Sequence, residues 1–206
     1  MLECDPDFEA ANSGGRWIAL EAIASPLSSG RLQDFICRTK APVPEELIFH
    51  ISIELVLACR FIQENCTPAI AHGDIHGDNI LFDLSRESFP GFPRLVLIDF
   101  GHTVRNRFND CEAVVEELLA WRDTLTSPSH KVCSRTEGWK KFFKYLDSHL
   151  QVQSLKTLWD AIGNIALQRR EATAQERISE IKELLKNAEK EQEPKLELGF
   201  RSAGLL

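Results

Sequence analysis

A polar segment lies between two apolar runs near the middle of the chain, and it limits the folds that the chain can adopt. Residues 72–79 read HGDIHGDN, and the apolar residues that follow predict a strand beginning near Asn79. Residues 85–93 contain two prolines and a glycine, which predicts a hairpin loop. Residues 94–98 (RLVLI) predict a second strand that ends at Asp99. The sequence therefore predicts a β-hairpin with carboxylates at one end of each strand.

The rest of the chain predicts mainly helices. Between residues 44 and 65, apolar residues recur at spacings of three and four, and Pro44 sits at a favourable first helical position. Further helices are predicted at about 31–38, from Asp110 onward, and at about 137–150, 152–169 and 174–192. Two short segments differ, since 17–20 (WIAL) predicts a strand and 25–30 (SPLSSG) a turn. We therefore expect an α+β fold, mostly helical, with a small hairpin sheet.

The composition excludes several classes of protein. The chain has 206 residues, 43% hydrophobic and 27% charged, which is enough to bury the core of one domain. No stretch reaches the roughly 18 apolar residues of a membrane span, and the acidic first ten residues are unlike a signal peptide. A net charge of −7 without a basic, aromatic patch argues against nucleic acid as a partner. We expect a cytoplasmic protein with no membrane partner, whose six scattered cysteines are free thiols.

Three residues of the hairpin region provide the side chains that phosphoryl transfer requires. An aspartate can orient an acceptor hydroxyl and take its proton, which suits Asp74 in the polar segment. Magnesium prefers hard oxygen ligands, which suits the Asn79 amide oxygen and the Asp99 carboxylate. If Asn79 and Asp99 end adjacent strands, their oxygens should be close enough to share one Mg2+ ion. The sequence therefore predicts a magnesium-dependent phosphotransferase site.

Other polar residues around this segment have less specific roles. His76 could donate to a phosphate in catalysis or could be a solvated loop side chain. His72 is expected to fix the loop backbone, and Asp78 to be solvated, because neighbours on a strand face opposite ways. Asp110 is expected to cap its helix and to hold the backbone of the loop. The tryptophans are expected to be packing residues (Trp17, Trp121, Trp139 and Trp159).

At these residues the sequence resembles the protein-kinase superfamily. Residues 72–79 are similar to the catalytic loop written H-R-D-x-x-x-x-N, and residues 99–101 match D-F-G. The resemblance implies ATP and Mg2+ as cofactors, with Asp74 as the catalytic base. It also implies that Asn79 and Asp99 bind the metal and, through it, the nucleotide.

The same resemblance implies the large lobe of a kinase-like fold, with the small lobe largely missing. Residues 17–21 resemble the hinge strand against which adenine docks, with Glu21 offering its backbone, although Glu21 could equally be a surface acid. Only sixteen residues precede this strand, whereas a small lobe takes at least about 50 residues. Neither a G-x-G-x-x-G nor a V-A-I-K-like strand is present. We expect three segments: a leader (1–16), a kinase-like domain (17–170) and a charged amphipathic helix and tail (171–206).

Departures from the protein-kinase pattern leave the acceptor and the activity open. Gly73 replaces the usual Arg, which removes the pocket for an activation-loop phosphate. His76 stands where many protein kinases carry Lys, and Asp110 follows Asp99 by only eleven positions. These features resemble aminoglycoside and choline phosphotransferases, whereas D-F-G resembles protein kinases. We expect an ATP- and magnesium-dependent phosphotransferase with a protein or small-molecule acceptor. An inactive, truncated scaffold that binds partners is the alternative.

Overall fold

The computed structural model describes residues 23–67, 69–105, 110–126, 135–148 and 154–191. The predicted leader, the predicted strand at 17–20, Trp17 and Glu21 lie outside these residues. Among the helices of this described part, none is both long and apolar enough to cross a membrane.

Six α-helices make up most of the described chain. They are α1 (Ser29–Thr39), α2 (Glu45–Asn65), α3 (Cys111–Thr126), α4 (Glu137–Ser148), α5 (Leu155–Glu171) and α6 (Gln175–Lys190). Each predicted helix is confirmed, with bounds that differ by a few residues. Pro44 precedes α2 instead of opening it, because its backbone is extended (ψ 132°).

Five short strands form two antiparallel sheets. They are β1 (Pro26–Ser28), β2 (Ile70–Ala71), β3 (Ile80–Phe89), β4 (Phe92–Leu97) and β5 (Val104–Arg105). The larger sheet has the order β1-β3-β4, and β2 pairs with β5. In the β3–β4 hairpin, Ile80 lies opposite Leu97 and Phe89 opposite Phe92, with register shifts between Asp83 and Phe89. The described chain is therefore mostly helical with a small three-stranded antiparallel sheet.

Two sequence expectations about the larger sheet are wrong. The predicted loop at 85–93 is the end of β3, a tight turn at Pro90 and Gly91, and the start of β4. Gly91 has a φ of +87°, which explains the glycine at this turn. The predicted turn at 25–30 contains β1 and the first residues of α1, because residues 26–28 pair with residues 81–83 of β3. Such long-range pairing overrides local turn chemistry and cannot be recognised from it.

Aromatic side chains surround α2 at the centre of the core. Phe49 of α2 meets Trp139 and Phe142 of α4 edge-on, with ring centroids 6.3 and 5.3 Å away. Trp121 is completely buried, and Trp159 packs against the same core while partly exposed. The packing role predicted for the tryptophans is confirmed for these three.

Four of the six cysteines lie in the described part, and all four are free thiols, as expected: Cys37, Cys59, Cys66 and Cys111. Burial raises the pKa of Cys111 to about 11 and raises the pKa of Cys59 as well. Both buried thiols therefore stay protonated near neutral pH and are poor nucleophiles.

The charged closing helix α6 buries one face. Its residues Ile181, Leu184, Leu185 and Ala188 belong to the same buried core as the other helices. On its polar side, Lys182 forms an ion pair with Glu87 of β3 at 2.8 Å. Helix α6 therefore packs against the part of the hairpin that surrounds the turn at Gly91.

Candidate active site

The polar segment 72–79 connects β2 to β3, and its first residues are held from two sides. Asp110, directly before α3, accepts hydrogen bonds from the backbone N–H groups of His72 (2.8 Å) and Gly73 (3.0 Å). The His72 ring is completely buried and donates through Nε2 to the carbonyl of Ile98 at 2.8 Å. It also packs against Phe100, with ring centroids 4.6 Å apart. These contacts agree with the backbone-holding roles expected for Asp110 and His72.

Gly73 occupies the position where the kinase motif usually has arginine, and its φ is +79°. In this left-handed region a residue with a Cβ is strained by about 1–2 kcal/mol. The backbone path that leads into Asp74 therefore favours glycine at position 73.

Asp74 and Asn79 are brought together by hydrogen bonds. Asn79 is only 7% exposed, and its amide nitrogen lies 3.0 Å from the backbone oxygen of Asp74 and 3.0 Å from its Oδ2. Both N–H groups of the Asn79 amide can therefore bind Asp74 and orient its carboxylate. Any metal ligand that Asn79 supplies must then be its amide oxygen.

His76 lies beside the same carboxylate. Its Nδ1 accepts from the N–H of Asp78 at 3.3 Å, while its Nε2 is 3.5 Å from Asp74 Oδ2. A neutral imidazole has one bare nitrogen and one N–H, so with Nδ1 accepting, the proton is on Nε2 and faces Asp74. The 3.0 Å approach of Nε2 to the Asn79 amide nitrogen is then a contact between two donors. His76 is about half exposed, and Asp78 is exposed, as expected.

Asp99 follows β4 and is exposed to solvent. Its backbone is left-handed (φ 59°, ψ 71°), and its carboxylate accepts from the N–H of Gly101 at 3.2 Å. The neighbouring Ile98 donates its N–H to the carbonyl of Asn79 at 3.0 Å. The backbones of the two predicted magnesium ligands therefore lie at the same end of the hairpin. Non-glycine residues in strained backbone conformations cluster at functional sites, which makes Asp99 a candidate on geometric grounds as well.

The oxygen donors of Asn79 and Asp99 suit magnesium better than a metal ion whose ligands must all come from the protein. The described residues contain no group of three or more His, Cys, Asp or Glu that could hold a metal ion. Magnesium usually keeps several waters and is bound by one or two carboxylates together with substrate phosphates. Asn79 and Asp99 could supply two oxygen ligands, and the phosphates of a nucleotide could supply others. Binding of Mg2+ and ATP here stays a prediction, as does any role of Glu21.

A buried polar cluster that the sequence patterns did not predict lies behind the loop. Glu117 of α3 accepts from the Ser29 hydroxyl at 2.9 Å and from the Gln33 amide at 3.0 Å. Trp121 donates its indole N–H to the Ser29 oxygen at 2.9 Å. Burial raises the pKa of the Glu117 carboxyl, although its hydrogen bonds to Ser29 and Gln33 act in the opposite direction. The sequence signal that could have revealed this cluster is Glu117 itself. It is an acidic residue on the apolar stripe of α3, three residues after Val114 and four before Trp121.

Comparison with known proteins gives a partial match. No family model matches the chain. Over 76 residues, the chain is 36% identical to the probable LRR receptor-like serine/threonine-protein kinase RPK1 of Arabidopsis thaliana. The matched residues are 36% of this chain, and they span 13% of the length of that relative. This partial match supports at most a kinase-related region within the chain.

Proposed function

We propose that the chain is the large lobe of a protein kinase-like phosphotransferase that uses ATP and Mg2+. The observation that carries this proposal is the arrangement around Asn79. Its amide binds Asp74, and its backbone carbonyl pairs with the residue before Asp99. The kinase-related region supports the same class of reaction.

In the proposed reaction, Asp74 acts as the base. The acceptor hydroxyl gives its proton to the Asp74 carboxylate while its oxygen forms a bond to the γ-phosphorus of ATP. The bond between that phosphorus and the bridging oxygen breaks, and the electron pair leaves with ADP. Asn79 restricts the rotation of the carboxylate, which keeps the base oriented toward the acceptor. The Nε2–H of His76 is close enough to the same carboxylate to interact with it or with a nearby phosphate oxygen.

Asn79 and Asp99 are the proposed magnesium ligands. The bound ion would neutralise phosphate charge, which is the chemistry that this class of reaction needs. Asp99 is suited to this role because its side chain is exposed. The hydrogen bond from the N–H of Gly101 occupies only part of the carboxylate, so lone pairs remain to bind a metal ion.

The experiment that tests the proposal measures magnesium-dependent ATP turnover by the purified protein and by Asp74→Asn. We expect turnover to fall by at least about 100-fold in the variant, the usual range for loss of a general base. Asp78→Asn is a matched control, because Asp78 is an exposed carboxylate on the same loop. It should retain turnover. The proposal is wrong if the wild-type protein has no magnesium-dependent turnover, or if Asp74→Asn retains it.

One observation favours a small-molecule acceptor as the second candidate within this class. The φ of +79° at Gly73 disfavours the arginine that would bind a phosphorylated activation loop in a protein kinase. Parallel assays with serine- and threonine-containing peptides and with small amino alcohols distinguish the two acceptor classes. Phosphate transfer to the peptides alone would exclude the small-molecule candidate.

A further inference from the structure

The first turn of α1 lies against the turn at residues 77–79, at two glycines. A Cβ on Gly77 would be 2.8 Å from the backbone nitrogen of Gly30 and 2.9 Å from its Cα. A Cβ on Gly30 would be 2.8 Å from Oδ1 of Asp78. Real Cβ atoms essentially never approach other atoms more closely than 3.0 Å. A side chain at Gly77 therefore requires the Gly30 backbone to shift, whereas a side chain at Gly30 requires only the end of the exposed Asp78 side chain to rotate.

The opposite side of this helical turn is fixed by the buried polar cluster. Ser29, adjacent to Gly30, is completely buried, and its hydroxyl donates to Glu117 and accepts from Trp121. Gln33, one turn later, donates to the same Glu117 oxygen. A buried, hydrogen-bonded cluster of this kind gives a rigid support, because a displacement that breaks these bonds leaves buried polar groups unpaired.

The turn next to Gly30 carries the amide that orients Asp74. Residues Gly77–Asn79 form one short 3-10 turn, so a displacement at Gly77 moves the backbone of Asn79 two residues later. The Asn79 amide, in turn, makes both contacts to Asp74. A continuous path of contacts therefore leads from Glu117 through Ser29, Gly30 and Gly77 to the carboxylate of Asp74.

We propose that Glu117, Ser29 and Gly30 are positioning residues, which hold the 77–79 turn so that Asn79 can orient Asp74. The effect of these three residues on catalysis rests on the proposed function, whereas their effect on the position of Asn79 does not. The residues of the proposed site that these contacts orient are Asn79 and, through it, Asp74.

The first test measures hydrogen exchange of the Asn79 side-chain amide by NMR in the full chain, with Asn79→Ser to assign the signal. We expect Gly77→Ala to accelerate exchange at least tenfold, because the added Cβ meets backbone atoms that have no rotamer to change. Glu117→Gln, which keeps the size of the side chain, should accelerate it about threefold. Gly138→Ala is the matched control, because its Cβ would lie 3.4 Å from the flexible Arg169 side chain. That variant should leave the exchange unchanged.

A second pair of variants separates positioning from a general loss of stability, and it replaces Gly77→Ala if that protein does not fold. Ser29→Ala removes the hydroxyl that bonds Glu117 and Trp121. In Gly30→Ala, the matched control, the new Cβ meets only the end of the exposed Asp78 side chain, which can rotate, and alanine itself favours the helix. We expect faster exchange of the Asn79 amide in Ser29→Ala and exchange within twofold of wild type in Gly30→Ala. A general loss of stability would instead accelerate the exchange of backbone amides in α5 by the same factor.

Calorimetric titration of the same proteins with ATP and magnesium tests the catalytic consequence. We expect affinity to fall at least fivefold in Gly77→Ala or Ser29→Ala and to stay within twofold of wild type in Gly30→Ala. A wild-type protein that binds no nucleotide would contradict the proposed function, while the exchange data would still decide the positioning role. Unchanged Asn79 exchange in folded Gly77→Ala or Ser29→Ala overturns the positioning proposal, and unchanged exchange in Glu117→Gln removes Glu117 from it.

Discussion

The β3–β4 hairpin has two ends that are held in different ways. At its turn end (residues 85–93), the N–H of Gly91 donates to the Glu87 carboxylate at 2.9 Å, and Lys182 of α6 pairs with the same side chain. Ile178 of α6 is so close to Gly91 that a Cβ there would lie 2.5 Å from its Cγ2. At its site end (residues 77–80 and 97–101), the polar side chains of Asn79 and Asp99 contact loop and turn residues near the hairpin.

The two ends of the hairpin therefore contribute differently: the turn end to stability and the site end to ligand binding. The turn end is fixed by neighbouring helices, including His50 of α2, whose Nε2 donates to the carbonyl of Pro93 at 2.8 Å. The site end has an exposed carboxylate in a strained backbone conformation, which adds little to stability but is available to a ligand. Substitution of the exposed Asp99 at the site end should therefore change ligand binding with little change in unfolding, and substitutions at the turn end should do the reverse.

The largest effect on ligand binding is expected for Asp99→Asn at the site end. Magnesium should strengthen ATP binding in the wild type, and this enhancement should fall by about tenfold or more when a ligand carboxylate is lost. Asparagine tolerates the left-handed backbone and can still accept from Gly101, so the unfolding free energy should change by less than about 0.5 kcal/mol. Calorimetric titrations with and without magnesium measure the first quantity, and urea unfolding measures the second.

Glu87→Gln at the turn end is the control for this prediction and should keep the magnesium enhancement. If the enhancement survives Asp99→Asn undiminished, Asp99 is not a magnesium ligand and the proposed separation of the two ends fails.

The next effect concerns the pH dependence of stability, to which the buried His50 should contribute. Burial lowers the pKa of His50 to about 4, and the nearby Arg170 acts in the same direction. Above pH 6.5 the ring is neutral in both states. Between about pH 6.5 and 4 the unfolded chain takes up a proton that the folded chain does not, so the unfolding free energy falls by about 3 kcal/mol.

Urea unfolding across this pH range, for the wild type and His50→Gln, measures that contribution. Glutamine can still donate to Pro93 but does not titrate, so its stability should fall less steeply on acidification. Parallel pH profiles for the two proteins would show that His50 is not responsible.

The two ends of the hairpin also differ in how far the sequence reveals their structure. The site end was predictable because its residues are close in sequence and their chemistry is specific, and Asp110 was correctly expected to hold the loop. The turn end was mistaken for a loop because residues 85–88 are all exposed and therefore lack the alternation of a half-buried strand. The contact between Gly30 and Gly77 could not be predicted, since it depends on how α1 packs against a distant turn.

A smaller effect is expected for Gly91→Ala at the turn end. The left-handed backbone and the approach of Ile178 together should lower the unfolding free energy by about 2–3 kcal/mol. Magnesium-linked nucleotide binding should persist at temperatures where the variant is folded. Adding Ile178→Ala should recover only the steric part of the loss, and a Gly91→Ala protein as stable as wild type would contradict the close packing of α6 on the turn.

The smallest effect is expected for Lys182→Ala, which removes the ion pair with Glu87. Although the two groups are 2.8 Å apart, both side chains are about half exposed, so water and salt screen their attraction. The pKa of Glu87 is lowered first by the N–H of Gly91 and only then by Lys182, which indicates that the carboxylate keeps its main partner in the variant. The unfolding free energy should therefore fall by no more than about 0.5 kcal/mol, and the difference should shrink further in 1 M salt. A loss above about 1.5 kcal/mol in urea unfolding would mean that the ion pair, and not the apolar face of α6, holds the turn end in place.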